Sequence, residues 1–346
     1  MLLYIHIPFC DSKCHYCSFV SYTKNHDLKR AYFEALTLQL EHELQRAESL
    51  KTVFIGGGTP SCAEWGYYEK IFDLISPYLL PEAEITAEAN PTGATKEWLL
   101  GMRSLGVNRI SLGVQSFNDA KLKFLGRSHT SKEALSAVYR AQEAGFERIS
   151  CDIIYQCSID NKRLIDEDLD ILLSLPIEHV SAYELTIEEQ TAFYGKEVKN
   201  SEEPFYLLIG EKLQDKFSQY EVSNYGRICM HNLGYWMHEP YIGVGCGAVG
   251  FYDSRRFYSQ RDLRAYIKDP LKTRIETLSR SDLLIEKLFL GLRSVVGVER
   301  ELLPLSMRER ADDLVGEKLT LKNGRYYAKN LFLADELALY ILGETL

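Results

Sequence analysis

Three cysteines lie within a stretch of eight residues near the start of the chain, in the segment FCDSKCHYCSF. Cys10, Cys14 and Cys17 follow the apolar run LLYIHI, which has the pattern of a buried strand. At this spacing on a loop, three thiolates can bind one small inorganic group. Structural zinc sites and electron-transfer clusters normally have four protein ligands, so a site with three leaves one metal position open for a substrate.

The same three thiols would also fit a zinc ion completed by His15 or His6, or they could be unrelated cysteines. The position of the three cysteines directly after the first strand of a strand–helix series favours a [4Fe–4S] cluster held by three thiolates. The remaining cysteines are scattered, which is typical of small buried hydrophobic residues in a reducing compartment. They are Cys62, Cys151, Cys157, Cys229 and Cys246.

Glycine or polar residues also mark the next predicted strands. The segment GGGTP, residues 56–60, ends the second strand. Its glycines let the backbone approach a ligand and donate N–H groups to it, although a glycine run can equally form a tight turn. Glu88 and Gln115 end the third and fourth strands, and Asp152 lies on the fifth. A lone carboxylate there is usually a helix cap, but polar groups at the same end of successive strands predict a shared site.

Six strand-like segments, each followed by a helix-like segment, position these residues. In the first helix Leu36, Leu40 and Leu44 recur at helical spacing. Such an alternation predicts parallel strands with right-handed crossovers, either in a barrel or in an open doubly wound sheet. We favour an α/β barrel, because the polar signatures recur just after the strands, where βα barrels place their chemistry.

The last part of the chain has a different pattern. From about residue 280 a helix-like run is followed by a hairpin pattern that turns at Asn323-Gly324 and by the helix-like FLADELALYIL. This order predicts a small C-terminal α/β domain of winged-helix type. Its modest basicity favours a packing or partner-docking role over DNA binding.

Composition limits the classes of function. The 346 residues are 46% hydrophobic and 12% aromatic, which is enough for a folded core, and no apolar run is long enough to span a membrane. The N-terminus shows no secretory signal. A net charge of −9 argues against nucleic acid as the main partner, because phosphate binding requires a basic surface. We therefore expect a cytoplasmic protein.

A series of motifs resembles one family, in order and over essentially the whole length: LYIHIPFC, CHYCSF, GGGTPS, EANP, RISLGVQSF, LGRSH, HVSAYELTIE, YEVSNY and HNLGYW. The family is the oxygen-independent coproporphyrinogen III oxidase family of radical S-adenosylmethionine (SAM) proteins. The resemblance implies a partial (β/α)6 TIM-like barrel, the radical SAM core, at residues 1–225. A connecting segment that contains HNLGYW follows at 226–279, and the small C-terminal domain occupies 280–346.

The resemblance also implies the ligands. Cys10, Cys14 and Cys17 bind the [4Fe–4S] cluster, whose open iron is chelated by SAM, and an electron from the cluster cleaves SAM to a 5′-deoxyadenosyl radical. The implied SAM contacts are Tyr4, Gly57, Gly58, Thr59, Glu88, Gln115, Arg127 and Asp152. In this set the carboxylates can accept hydrogen bonds from ribose hydroxyls or the ammonium group, and the guanidinium can pair with the SAM carboxylate.

Two features separate the branches of this family. The oxidase branch carries a further cysteine two residues after the third ligand, where this chain has Phe19. The heme chaperone branch lacks that cysteine and has an HNxxYW motif. In this chain the motif consists of His231, Asn232, Tyr235 and Trp236.

The HNxxYW residues are candidate heme contacts. A histidine beside flat aromatic rings can coordinate heme iron while the rings cover the macrocycle. The alternative is an aromatic turn packed on the barrel, with His231 and Asn232 bonded to backbone. The residues alone favour that packing role, whereas the resemblance favours heme, with Cys229 and His238 as weaker candidate ligands.

The predicted function is therefore a heme chaperone that passes heme to an acceptor hemoprotein, for example a membrane respiratory enzyme. Its further partners are an electron donor for the cluster and, in a homodimer, a second copy of the chain. The first alternative is an oxygen-independent coproporphyrinogen III oxidase, which converts coproporphyrinogen III to protoporphyrinogen IX by radical decarboxylation. The second alternative is a radical SAM enzyme with an unrelated substrate.

Two segments depart from the family pattern. Residues 155–163 read YQCSIDNKR where the family usually has YGLPGQT, which changes the loop near Asp152 over the SAM site. In GVGCGAVGF, residues 243–251, Val249 and Gly250 stand where relatives tend to have histidine and serine, which changes the ligand pocket.

Overall fold

A computed structural model describes residues 1–200 and 202–343 and shows an α/β fold built around one large sheet. Six strands in its centre run parallel, and each pairs with the next one along the chain. They are β1 Leu2–Ile7, β2 Leu50–Gly57, β3 Leu79–Ala89, β4 Arg109–Gln115, β5 Arg148–Tyr155 and β6 His179–Glu184. The predicted series of parallel strands is confirmed.

Helices follow each of these strands. They are α1 Lys29–Leu44, α2 Glu69–Ile75, α3 Lys96–Ser104, α4 Asp119–Phe124, α5 Ser131–Glu143, α6 Lys162–Ser174 and α7 Tyr206–Gln214. Local sequence sets their starts: at α5 the Thr130 hydroxyl accepts from the Glu133 N–H, and the Glu133 carboxylate accepts from the Thr130 N–H, which is a capping box. Among residues 1–200 and 202–343, no helix combines the length and apolarity needed to cross a membrane.

The segment after β6 extends the sheet at both edges. It forms β7 Asn224–Gly226, α8 Met230–Trp236, β8 Tyr241–Val244, β9 Val249–Tyr252, β10 Arg255–Ser259, α9 Leu263–Lys268 and β11 Thr273–Thr277. The strand order is β11-β10-β9-β8-β1-β2-β3-β4-β5-β6-β7, with β8 parallel to β1 and the outer strands antiparallel. Most of the predicted connecting segment thus belongs to the main sheet, which stays open between β7 and β11. The domain boundaries remain a prediction.

The two faces of the parallel strands have different roles, because successive side chains alternate. In β1, Leu3, Ile5 and Ile7 are buried in the main core together with residues of the connecting helices. Tyr4 and His6 line cavities on the opposite, inner face. On the neighbouring strands the same alternation brings polar side chains to the inner face.

The C-terminal part has its own core, formed by residues between 288 and 342. Its elements are α10 Arg280–Leu292, β12 Val298–Glu299, α11 Leu305–Asp313, β13 Leu319–Lys322, β14 Arg325–Ala328 and α12 Ala334–Leu342. The three strands form an antiparallel sheet in the order β12-β14-β13. Asn323 and Gly324 have φ values of 51° and 74° and form the two-residue hairpin turn that the sequence predicts. Residues 344–346 of the predicted domain lie outside the described residues.

Candidate functional site

The three N-terminal cysteines lie on a loop whose two ends are joined by backbone hydrogen bonds. The N–H of Cys10 donates to the carbonyl of Tyr22 at 3.1 Å, and the N–H of Tyr22 donates to the carbonyl of Pro8 at 2.7 Å. Cys10, Cys14 and Cys17 all line one cavity of about 370 Å³ at the carboxyl ends of the parallel strands. The structure therefore brings the predicted cluster ligands together, and we call this space the main cavity.

The surroundings of the thiols suit a metal cluster. Burial raises the pKa values of the Cys10 and Cys17 thiols, so a bound cation is needed to hold them as thiolates near neutral pH. Within residues 1–200 and 202–343, no three His, Cys, Asp or Glu side chains are grouped so that they could hold a metal ion. The three cysteines around one cavity supply the number of thiolates that a [4Fe–4S] cube with one open iron requires.

Both histidines that could complete a zinc site are bonded elsewhere. His6 Nδ1 is 2.9 Å from the Tyr4 hydroxyl, and its Nε2 is 2.8 Å from the Val20 carbonyl. His15 Nδ1 donates to the Phe124 carbonyl at 2.8 Å. Both ring nitrogens of His6 and Nδ1 of His15 are thus engaged within the protein, which disfavours the zinc alternative.

Arg127 joins the cysteine loop to the ends of β3 and β4. Its Nη1 donates to the Cys14 sulfur at 3.1 Å, and its Nη2 donates to Asn90 Oδ1 at 2.5 Å and to the Gly113 carbonyl at 2.7 Å. Its Nε is buried without a partner among the described protein atoms. A fixed guanidinium in a cavity wall with an unused donor has the chemistry needed to bind a carboxylate.

The glycines of GGGTP allow β2 to pack closely against β1 and the cysteine loop. Gly57 has a φ of +107°, and a Cβ atom there would lie 2.4 Å from the His6 ring. A Cβ atom on Gly58 would lie 2.7 Å from the Ile7 carbonyl oxygen. The N–H groups of Gly58 and Thr59 already donate to backbone carbonyls of the preceding strand and loop. The expected donation of these N–H groups to a ligand is therefore not available, although the segment lines the main cavity.

Glu88 and Asp152 place two carboxylates beside the main cavity. Glu88 Oε2 accepts from the Gly57 N–H at 3.2 Å, and Asp152 Oδ1 accepts from the Ser111 hydroxyl at 3.1 Å. Burial and the charge of Asp152 raise the pKa of Glu88 to about 7, and burial raises the pKa of Asp152. A cationic ligand would relieve this repulsion, so the pair suits a positively charged group or sugar hydroxyls.

Seven of the eight predicted SAM contacts line the main cavity. Gln115 lies there at the end of β4, where a φ of 68° and a shift of strand register turn the chain. Tyr4 is the exception: it lines the adjoining cavities, together with Phe19 and Tyr235. Tyr4 therefore stands next to the predicted SAM contacts rather than among them.

Three further residues of the main cavity were not singled out from the sequence. Asn90 bonds Arg127 and also donates to the Thr59 hydroxyl at 3.1 Å. Ser111 bonds Asp152, and Tyr183 follows at the end of β6. Asn90 is part of the EANP motif, and Ser111 lies on the polar face of its strand, so strand alternation is the signal that could have found them.

The HNxxYW motif forms α8, and its histidine is fully engaged. His231 is 1% exposed; its Nδ1 is 2.7 Å from the Thr52 hydroxyl, and its Nε2 is 2.8 Å from the Tyr235 hydroxyl. Burial lowers the pKa of His231 to about 3, so the ring is neutral. In this structure His231 has no free nitrogen for heme iron, which favours the packing alternative for this side chain.

The other motif residues differ in their access to the cavities. Asn232 and Tyr235 line a cavity of about 290 Å³ that adjoins the main cavity, whereas Trp236 is half-buried on the same helix. The weaker candidates are each bonded to a carboxylate: Cys229 donates to Glu84 at 3.3 Å, and His238 lies 2.8 Å from Glu286. Tyr235 is thus the motif residue best placed to contact a ligand.

The departing segment at 155–163 forms a well-bonded turn. Gln156 has a φ of 70°, a conformation that favours glycine. Its side chain accepts from the Phe205 N–H at 3.1 Å and donates to the Glu203 carbonyl at 2.7 Å. The Cys157 N–H donates to Asp160 at 2.8 Å. These bonds hold the turn beside the main cavity without the glycine and proline of the family pattern.

Comparisons with known proteins identify the family of this chain. Residues 4–172 match the Radical SAM superfamily. The chain is 35% identical over 336 residues to the heme chaperone HemW of Lactococcus lactis. The aligned region covers 92% of this chain and 88% of that relative. It is 34% identical to the heme chaperone HemW of Bacillus subtilis, and this alignment covers 86% of this chain and 84% of that relative. The chain belongs to the HemW family of radical SAM proteins.

The fold of this HemW-family chain has a counterpart among solved structures. Coproporphyrinogen III oxidase (HemN) from Escherichia coli superposes with a TM-score of 0.81 at 16% identity, over 98% of this chain and 89% of the other. This likeness concerns the fold alone. The predicted family and the α/β fold class with a small C-terminal domain are confirmed.

Membership of the family implies a [4Fe–4S] cluster and SAM, and the residues present fit both groups. The cysteine loop supplies three thiols to one cavity. Arg127 offers a buried, unpaired donor to a carboxylate, and Glu88 with Asp152 offers negative charge to an ammonium or sulfonium group. The donor set therefore matches both the cluster and its cofactor.

Proposed function

We propose that this chain is a heme chaperone that binds heme and passes it to an acceptor hemoprotein. Cys10, Cys14 and Cys17 hold a [4Fe–4S] cluster, and the main cavity holds SAM. When bound, the cluster supplies the electron for SAM cleavage, and in this chain the two cofactors gate heme transfer. The proposal is supported by relatives named heme chaperones that match most of the chain.

The main support for the proposal is the position and exposure of the Phe19 side chain. At the position of the extra oxidase cysteine, this chain has an apolar ring that is 63% exposed. Phe19 lines the main cavity and both adjoining cavities, so it stands where they meet. An exposed aromatic ring beside open cavities suits the uptake and release of a flat apolar ligand. Radical chemistry instead requires a site closed to water.

The partners and location follow from this role. The acceptor is a hemoprotein at the membrane, which the chain meets from the cytoplasm, and a reductant supplies electrons to the cluster. Exposed apolar side chains of the C-terminal domain support protein contacts there, either with the acceptor or in a homodimer. They include Leu305, Leu339 and Tyr340, which are 69%, 53% and 50% exposed.

Heme binding and delivery test the proposal. Anaerobically reconstituted protein is titrated with hemin and then mixed with membrane vesicles that hold the apo form of a heme-dependent respiratory enzyme. We expect one heme per chain, followed by recovery of the respiratory activity. Phe19→Ala should weaken heme binding, whereas Tyr139→Ala, which removes a 46% exposed ring on α5, should not.

The oxidase alternative is tested with the same preparation. Supplied with coproporphyrinogen III, SAM and a reductant, the protein should form no protoporphyrinogen IX. Its gene should also fail to complement a strain that lacks the oxygen-independent oxidase. Product formation by the pure protein, or growth of the complemented strain, would overturn the chaperone assignment.

A further inference from the structure

The inner face of the main sheet continues from the barrel onto β8–β11 and forms an open groove of about 690 Å³ there. This volume lies within the range of roughly 300–1,000 Å³ that small-molecule sites occupy. The groove adjoins the main cavity, and Ser18 and Phe19, which directly follow the third cysteine, line both. A ligand in the groove would therefore touch the cysteine loop.

Aromatic side chains form the walls of the groove. Phe19 comes from the cysteine loop, Tyr235 from α8, Tyr241 from β8 and Tyr258 from β10. Tyr235 and Tyr241 meet edge to face, with ring centroids 4.7 Å apart. With Tyr4 from β1, five rings from five elements offer large, rigid apolar faces to a flat ligand.

Three cations surround the same groove. Arg261, Lys272 and Arg274 line it and are exposed. Within residues 1–200 and 202–343, none of them forms a salt bridge. Arg274 lies directly opposite Tyr258 in the β10–β11 pair, and its guanidinium stacks 3.9 Å from the centre of that ring. In a chain of net charge −9, three unpaired cations around one aromatic groove select for an anionic ligand.

We propose that this groove is the heme site, with the macrocycle against the aromatic walls and the two propionates bound by Arg261, Lys272 and Arg274. The inference rests on the proposed function and gives it a location. A dicarboxylic tetrapyrrole matches both features of the groove, because it is flat and apolar with carboxylates along one edge. SAM carries a sulfonium and an ammonium group, which the cationic rim disfavours.

The groove also limits how the iron is held. Among the described residues that line the groove, His6 supplies the imidazole. One of its nitrogens is bonded to the Tyr4 hydroxyl and the other to the Val20 carbonyl, so neither is free to bind iron. Val249, at the position where the family pattern has histidine, lines the groove as well. Burial raises the pKa values of the tyrosines that line the groove, Tyr4, Tyr235, Tyr241 and Tyr258, which disfavours the phenolate form that would bind iron. Binding therefore depends on the ring and the propionates rather than on a strong axial ligand, which suits a protein that must release heme. Metal-free protoporphyrin IX should bind about as well as heme.

Matched charge reversals test the site. Lys272→Glu/Arg274→Glu reverses two groove cations, and Arg264→Glu/Lys268→Glu makes the same charge change on α9, at exposed residues outside the groove. Each protein is titrated with hemin, by Soret absorbance, and with protoporphyrin IX, by fluorescence. We expect the groove variant to raise the Kd for both porphyrins at least about tenfold, and the control to change it less than about twofold. Protoporphyrin IX dimethyl ester should bind wild type and both variants equally weakly.

The outcomes separate the site from the function. Tight porphyrin binding by wild type that the groove variant retains, or ester binding as tight as that of the diacid, overturns the groove and leaves the chaperone role intact. Failure of wild type to bind any porphyrin overturns the proposed function and the groove together. Circular dichroism of both double variants, expected to match wild type, shows that lost binding is not lost folding.

Discussion

The main cavity and the groove lie on the same face of one sheet but are built in opposite ways. In the main cavity Arg127 is held by three hydrogen bonds, and Glu88 and Asp152 each accept a bond from the protein. In the groove Arg261 and Lys272 are exposed side chains on flexible stems, and the exposed Arg274 stacks on the Tyr258 ring. Donors fixed by buried bonds hold one ligand in one orientation, whereas free side chains must be ordered on binding and let a ligand leave more readily. Under the proposed function, this difference suits the main cavity to retain its ligand and the groove to exchange one.

The cysteines offer the strongest test of the retention side. Replacement of Cys10, Cys14 or Cys17 by alanine should abolish cluster assembly, because it removes one of the three protein ligands and leaves two thiolates to bind the cluster. Cys62→Ala is the matched control, since Cys62 is a half-buried cysteine that does not line the main cavity. Iron and sulfide analysis after anaerobic reconstitution measures the effect. Equal iron content in all four variants and wild type would contradict the assignment.

Arg127 tests whether the fixed hydrogen bonds of the main cavity hold SAM. Arg127→Lys keeps the charge but loses the fork that reaches the cysteine loop, β3 and β4 together, so we expect SAM affinity to fall about 10–100-fold. Calorimetric titration of the reconstituted protein measures it. Arg140→Lys is the control, because Arg140 also makes three hydrogen bonds, to Ala94, Pro91 and Ser136, outside the cavity. An equal loss in both variants would show that Arg127 acts through stability alone.

A variant of His231 distinguishes two roles for this side chain, as a structural support of the groove wall or as a heme ligand. His231→Phe keeps a ring but breaks the bonds to Thr52 and Tyr235, and we expect a loss of about 1–3 kcal/mol of unfolding free energy. Heme bound per folded chain should fall only slightly. Urea unfolding and the Soret spectrum provide the two readouts. Unchanged stability together with a shifted Soret band would instead make His231 an axial ligand.

The smallest predicted effect concerns the strained carboxylate pair. The pKa of Glu88 is raised to about 7, so the folded protein keeps its proton while the unfolded chain loses it, and stability falls as pH rises from about 4.5 to 7. Glu88→Gln should therefore stabilise the cofactor-free protein at pH 8 by on the order of 1 kcal/mol, and not at pH 4. Melting temperatures at both values measure this. Glu82→Gln, on the exposed start of β3, is the control, and an equal gain there would refute the role of Glu88 burial.

The residues of the main cavity could be predicted from local sequence patterns, whereas the residues of the groove could not. The cysteine spacing and GGGTP each act within one loop, and their positions after strands follow from alternation. Tyr258 and Arg274 face each other because β10 pairs with β11 in one register, which no local pattern specifies. The bonds of His231 to Thr52 and Tyr235 likewise depend on how α8 docks under β2. Long-range pairing therefore accounts for what sequence reasoning missed.

Electron paramagnetic resonance can show whether a three-cysteine cluster in this chain leaves one iron free to bind SAM. Reconstituted protein should contain about four irons per chain and, after reduction, give the signal of a [4Fe–4S] cluster. Addition of SAM should change the g values of that signal, as expected if SAM is a ligand of the iron that no cysteine holds. A zinc-containing protein, or a cluster signal indifferent to saturating SAM, would contradict the account.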